Sequence, residues 1–400
     1  MSAPTTAIER LAALAVEFGA NVQKGQIVSV VSEFGKEELT RAVVARAYKR
    51  GAKFVDVVYV DPWIRRARIE LAADESLDFI PPWYRERMLQ LGVERCADIQ
   101  LSGPAQPGLL DDLDAARIGR TIWGAIPERL RVVNERTINW TIVPAPTVPW
   151  AQLVHPGVAA EQALAMLWED VVHICRLDEP DPVEAWQRRA RATAAAAAAL
   201  NERHFDAIQL EGPGTDLTIG LFPSSQWHGA ESETVDGIPH FANLPTEEVY
   251  TAPDPERVDG IVSATRPVLM RDRAVEGLVI RFENGRAVDI TAAAGEGTIR
   301  ALAEQDDGAG RLGEVALVDR DGRVGSLGRV FYDTLIDENA ASHVALGAAL
   351  DYTVGESDRD RLNRSEIHLD FMVGGPEVAV TGITRDGERV PVLRQDIWQL

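Results

Sequence analysis

Ile27-Val28-Ser29-Val30-Val31 and Phe54-Val55-Asp56-Val57-Val58-Tyr59-Val60 are two β-branched runs of strand length. Between them, Lys36 to Arg50 places Leu39, Val43, Val44 and Ala47 on one helical face and stops at Gly51. Strand, helix and strand within about thirty residues make a βαβ unit, which implies parallel strands in an α/β N-terminal domain. No glycine-rich phosphate loop follows the first strand, so nothing supports a nucleotide site there.

Working outward, residues 7 to 18 read as an amphipathic helix through Ile8, Leu11, Ala12 and Ala15. From Asp61 to about Ile126 the pattern is mixed and broken by Pro81-Pro82-Trp83. Trp140 to Trp150, with Pro144, Pro146 and Pro149, suits either a rigid crossover between domains or a pocket wall. Gln162 to Arg176 is helical, and Asp181-Pro182 opens a long helix that ends near Asn201. After residue 205 the strands become short and are separated by Gly, Pro and Asp: 207–210, 216–221, 260–263, 277–282 and 287–292. Further strand-like runs follow at 311–318 and 364–374, with a final hairpin of 378–384 and 389–393. This texture predicts an antiparallel, β-rich second domain. The expected fold class is therefore α/β plus α+β, with an N-terminal α/β domain over residues 1–200 and a C-terminal β-rich, metal-binding domain over 201–400.

At 400 residues the chain is long enough for two domains. Its formal net charge of -21 argues against nucleic-acid or anionic-membrane partners, which such a surface repels. Cys96 and Cys175 form no disulfide framework and match no zinc-ligand spacing, which fits a reducing compartment. The apolar run Leu11 to Val16 is too short to span a membrane and is flanked by Glu9, Arg10 and Glu17. A cytoplasmic location is expected.

Four segments carry candidate chemistry. In Ile336-Asp337-Glu338-Asn339-Ala340-Ala341-Ser342-His343-Val344-Ala345-Leu346-Gly347, Glu338 and His343 would diverge if both were helical. They converge if Glu338 lies on a loop and His343 on the first turn of the apolar, Ala-rich helix expected after it. In Ser365 to Val373, Ile367, Leu369, Phe371 and Val373 alternate with His368, Asp370 and Met372. That is a strand with one dry face, and His368 and Asp370 share the other. Glu314 sits at the edge of the buried run Val315 to Val318, where an unpaired charge is costly. Glu247 and Glu248 follow Pro245-Thr246, and on a strand only one of them can join a given face. Each segment alone has a plainer explanation: a solvated face, a salt bridge or an acidic turn.

Together they offer Glu248, Glu314, Glu338, His343, His368 and Asp370. Four carboxylates in one place repel and protonate unless cations neutralise them, and two divalent ions balance the sum. This predicts a dinuclear site, about 3.5–4 Å between ions, of the kind used in metal-assisted hydrolysis. Oxygen and nitrogen donors without sulfur suit Zn, Co or Mn.

Asn-x-Pro-Thr-Glu-Glu-Val, Gly-Glu-Val-Ala-Leu-Val, Asp-Glu-Asn-Ala-x-x-His-x-Ala-Leu-Gly and Asn-Arg-Ser-x-Ile-His-x-Asp-Phe-Met occur in that order. The chain thereby resembles the thermophilic metalloaminopeptidases of the aminopeptidase T and aminopeptidase S type, over nearly its whole length. The resemblance implies a two-domain homodimer with two metal ions that releases N-terminal amino acids from peptides or small amides. It places the ligands on the six residues above, selects Glu248 over Glu247, and makes Glu314 the bridging carboxylate. Water activated by the metal pair would attack the scissile carbonyl. One position departs from the family pattern: Leu350 stands where a tyrosine assists catalysis. Tyr352 takes that place only if the expected helix end is rearranged, since two helical residues turn a side chain by about 200°. Two other activities compete. One is a mononuclear iron ring-cleaving dioxygenase built on His343, His368 and Asp370. The other is a specialised or non-catalytic relative altered at Leu350.

Overall fold

The computed structural model describes residues 3–121, 127–270 and 273–400. Ile27–Glu33 (β1) and Phe54–Val60 (β2) lie side by side in parallel, Val28 opposite Val55 and Val30 opposite Val57. The helix Glu37–Arg50 connects them and ends where Gly51 adopts a φ of 98°, a left-handed cap that glycine takes without steric cost. Ala97–Ser102 (β3) and Asn139–Pro144 (β4) complete a parallel sheet in the order β2-β1-β3-β4. Little in the sequence marks β3, because Asp98 and Gln100 interrupt its apolar pattern. The stretch expected to be mixed contains β3 and the helices Pro62–Leu71 and Pro82–Val93; its end, 122–126, lies outside the described residues. The proline-rich run from Trp140 lies within one compact unit and is not a crossover between domains. It supplies β4 and then the helix Val148–Val154, which buries Trp150 completely.

The chain divides into two compact units, Met1–Arg188 with Glu231–Thr246, and Arg189–Ala230 with Glu247–Leu400. In the first unit, the returning segment runs beside β4, where Ile142 N–H donates to Ala242 O at 2.8 Å and Leu244 N–H to Ile142 O at 3.0 Å.

Among its described residues, the second unit contains an eight-stranded antiparallel sheet and a four-stranded one. The short strands expected after residue 205 appear in the larger sheet as 207–212, 215–221, 253–263, 279–283 and 286–291, and the final hairpin as 379–383 and 389–394. The smaller sheet is built from Glu248–Thr251 (β5), Leu312–Val318 (β6), His343–Gly347 (β7) and His368–Met372 (β8), ordered β8-β7-β6-β5. Val249, Val315, Leu317, Val344, Leu346 and Phe371 join Ile208, Leu210, Leu217 and Ile219 of the larger sheet in one apolar core. Burial of this face fixes the register of the small sheet, and its alternate residues are left for the other face.

The helix expected from His343 onward is not formed. His343 opens β7, and Glu338 lies on a short 3-10 turn, Glu338–Ala340. Both faces of β7 are buried, so it carries no alternation, and a short apolar run of this kind has no periodicity that separates strand from helix.

A bulge in β6 is decisive for the site. Leu312 pairs with Leu346 and Glu314 with Ala345, so Gly313 is an extra residue. Leu312 can then enter the core while Glu314, two residues on, faces the opposite side. A side chain at position 313 would place its Cβ 2.2 Å from Gly347 O and 2.5 Å from Ala348 O. Gly313→Ala is expected to cost at least about 1–3 kcal/mol, the range for overpacking. Thermal or denaturant unfolding checks this; an unchanged midpoint would show that the bulge yields without strain.

Candidate metal centre

The register of the small sheet assembles the site. Glu314, Ala345 and Asp370 form one row across β6, β7 and β8, while Tyr250, Ala316, His343 and Met372 form the next. Glu248 pairs with Val318, and His368 with Gly347. Glu248, Glu314, His343, His368 and Asp370 therefore project from one face, with Ala316, Ala345 and Gly347 leaving room between them. Glu338 approaches from its 3-10 turn, and its charge is felt by Asp370, Glu248 and Glu314. All six residues lie in the second unit.

The donors fall into two groups that share one carboxylate. Glu248, Glu314 and His343 offer ligand atoms that all lie within 4.8 Å of one another, and so do Glu314, His368 and Asp370. His343 Nε2 is 3.0 Å from Glu248 Oε2 and 3.6 Å from Glu314 Oε1. His368 Nε2 is 3.2 Å from Asp370 Oδ1 and 3.8 Å from Glu314 Oε2. The two imidazoles thus belong to different groups, rather than to the single two-His-one-carboxylate set of the dioxygenase alternative.

Both rings are oriented from behind. Nδ1 of His343 donates to Ala341 O at 3.3 Å, and Nδ1 of His368 to Ala348 O at 2.7 Å. A proton on Nδ1 leaves the Nε2 lone pair for a metal, the usual arrangement of ligating histidines. Glu248 Oε2 and Asp370 Oδ1 are buried, and beyond their imidazole contacts they have no well-aligned hydrogen bond among the described residues. Buried carboxylate oxygens whose near partners are the Nε2 atoms of the two imidazoles, and an excess of negative charge, fit divalent cations. His343 is 1% exposed, whereas 35% of the His368 side chain is exposed, so the site opens on the His368 side.

The protein's own charges show the same strain. Burial, together with Asp370 and Glu248, pushes Glu338 well above the ordinary carboxylate range. Burial also raises Glu314. Burial opposes a charge on either imidazole but is outweighed by the carboxylates: Glu248 and Glu314 hold His343 well above its usual value, and Asp370 carries His368 up to about 10. Without cations the cluster keeps itself near neutrality by holding protons.

Several contributors escape sequence reasoning. Glu247 turns away from the site into a buried ion pair with Arg189, Nε to Oε2 at 2.5 Å, while Arg189 Nη1 reaches both Asp319 oxygens at 3.0 Å. Asn339 Oδ1 accepts the Glu247 N–H at 2.5 Å, and its Nδ2 donates to Leu335 O at 2.9 Å. Asn339 thereby ties the segment carrying Glu338 to the strand carrying Glu248. Nothing in Arg188-Arg189-Ala190-Arg191 distinguishes the buried arginine from its neighbours. Asn339 could have been noticed only by its place between Glu338 and the rest of its motif.

Tyr352 stands on a second 3-10 turn, Asp351–Thr353, and Leu350 precedes it in extended conformation (φ -88°, ψ 124°). The helical separation expected between the two positions does not arise. The Tyr352 hydroxyl meets that of Tyr250 at 3.0 Å, and its ring stands edge-on to His228 at 5.3 Å.

The family described as Thermophilic metalloprotease (M29) matches residues 5–398. Aminopeptidase T of Thermus thermophilus is 41% identical over 400 residues, covering 98% of both chains. Aminopeptidase AmpS of Bacillus subtilis is 37% identical, covering 97% of both. The solved structure of wild-type AmpT from Thermus thermophilus superposes with a TM-score of 0.89 at 39% identity, covering 98% of this chain and 99% of that one.

Cation binding must displace the protons held by His343, His368 and the raised carboxylates. Metal affinity is therefore expected to rise with pH through the neutral range, and each ion bound should release protons. Calorimetric titration in buffers of different ionisation enthalpy measures that release; proton-neutral binding would contradict the assignment.

Proposed function

The chain belongs to the thermophilic metalloprotease (M29) family, and from that premise we propose that it is a metal-dependent aminopeptidase, releasing N-terminal amino acids from peptides or related aminoacyl amides. The observation that carries the finer mechanism is Glu314, shared between the two donor groups. It supports a pair of ions, of which Glu248 and His343 would hold one and His368 and Asp370 the other, with Glu314 available to both and Glu338 beside them. Divalent ions such as Zn, Co or Mn, when bound, polarise a carbonyl and lower the pKa of water. The chain's own residues fix where that chemistry happens. Glu248 and Glu314 are set by the core-locked register of the sheet, and the His343 and His368 rings by backbone carbonyls. The exposed edge of His368 marks the side from which a substrate's scissile bond reaches the site.

The family resemblance also supports a two-domain homodimer, and the change of sequence texture after residue 205 supports an N-terminal α/β domain over 1–200 and a C-terminal metal-binding domain over 201–400. Among the described residues no helix is long and apolar enough to cross a membrane. Cys96 and Cys175 are buried and not disulfide-bonded, which agrees with the cytoplasmic location we propose.

Loaded with Zn, Co or Mn, the protein is expected to bind about two ions per chain and to release amino acids from a panel of aminoacyl amides. Glu314→Gln should lower metal content and reduce kcat/KM by at least about a hundredfold, the upper end for disturbing an outer-shell partner. Elemental analysis alongside the rate assay tests both parts. One ion per chain in the active wild type would refute the dinuclear assignment, and inactivity of fully loaded protein would refute the aminopeptidase.

A further inference from the structure

The second residue of β5 after Glu248 is Tyr250, and side chains two apart on a strand share a face. Across the sheet Tyr250 pairs with Ala316, and Ala316 pairs with His343 on its other side. Tyr250 and His343 thus flank Ala316, whose side chain is a single methyl group, in one row of the face that carries the candidate ligands. The Tyr250 side chain keeps part of its surface accessible, and its phenol feels the charges of Glu248 and Glu314.

The phenol is held in place. Backbone hydrogen bonds join Tyr250 to His228 in both directions, at 2.9 and 3.0 Å. The two rings lie 6.0 Å apart, and the Tyr352 ring meets the same imidazole edge-on. His228 Nε2 lies 3.2 Å from Tyr352 O, and the turn bearing Tyr352 is fastened further by Gln226 N–H donating to Thr353 O at 2.8 Å. The 3.0 Å contact between the tyrosine hydroxyls can run either way. When Tyr352 donates, the hydrogen of Tyr250 is left for another acceptor, and donation to its oxygen strengthens it as a donor.

We propose that Tyr250 is a catalytic residue of this site, donating a hydrogen bond to the substrate oxygen that gains charge as the scissile carbonyl becomes tetrahedral, and that Tyr352 is the positioning residue that orients it. The proposal rests on the aminopeptidase function above. It accounts for an active site with Leu350 where the resemblance calls for a tyrosine: the phenol enters from β5 instead.

The test compares wild type, Tyr250→Phe, Tyr352→Phe and the double variant, all metal-loaded and full-length. It reads kcat and KM on an aminoacyl anilide, metal content, thermal midpoint, and affinity for a phosphinic dipeptide whose tetrahedral phosphorus mimics the reacting carbon. Tyr250→Phe should lower kcat by about a hundredfold, the scale for loss of one oxyanion donor, with little change in KM or metal content. Phosphinate affinity should fall with kcat. Tyr352→Phe should cost about tenfold alone and nothing further in the Tyr250→Phe background, as expected of residues acting as a unit. Retention of wild-type kcat and phosphinate affinity by Tyr250→Phe would overturn the proposal, and independent, multiplying losses would overturn the positioning role. Should loaded wild type bind the phosphinate without hydrolysing the anilide, the aminopeptidase function fails. The Tyr250 assignment would then stand or fall on phosphinate affinity alone.

Discussion

Four carboxylates on and beside one buried sheet face repel one another, and this constraint governs the second unit. An isolated buried carboxylate is costly, and four of them persist only with compensating charge. The protein supplies part of that compensation through His343 and His368 and through protonation of its own acids. The remainder is work left for cations. A fold stable enough to hold these groups together unneutralised must be braced elsewhere, and the apolar core shared by the two antiparallel sheets provides the bracing.

Beneath that lies a second buried cluster, in which one guanidinium faces two carboxylates. Glu247 is adjacent in sequence to a proposed ligand yet opposes Arg189 and, through it, Asp319. Trp398 Nε1 donates to Asp319 Oδ2 at 2.6 Å, so the end of the chain closes the same network. The two neighbouring glutamates face opposite ways, Glu248 toward the carboxylate cluster and Glu247 toward the ion pair. Removing one partner of a buried pair leaves the other charge unmatched, so this network fixes the start of β5 and with it the carboxylate of Glu248.

How much of this was legible depends on where the pattern was local. His368 and Asp370 were placed on one face by simple alternation, and the opposite orientations of Glu247 and Glu248 followed from the same period of two. The parallel sheet was announced by β1, the following helix and β2. The environment of His343 was not legible, because β7 is buried on both sides and its run of Val, Ala, Leu and Gly reads equally well as a helix. Nor was the bulge at Gly313 visible, since one glycine before a strand carries no mark of which neighbours will oppose it. Arg189 and Asn339 matter through contacts 58 and 92 residues distant, which no local pattern encodes.

The misread strand also changes the meaning of Leu350. On a helix continuing from His343, replacing a tyrosine there would remove a phenol from the site with nothing nearby to replace it. On the observed backbone, β7 ends at Gly347, where φ is 103° and a Cβ would stand 2.1 Å from Ile367 O. The chain then leaves the sheet, and Leu350 is extended ahead of the 3-10 turn Asp351–Thr353 rather than part of a continuous helix. Tyr352 is turned toward β5, where Tyr250 already lies on the ligand-bearing face. A phenol is a short-range tool, useful only from a fixed position, and the position that matters is the row beside Ala316 and His343 rather than any number along the chain. Leucine at 350 therefore leaves the site with a phenol, delivered from the neighbouring strand.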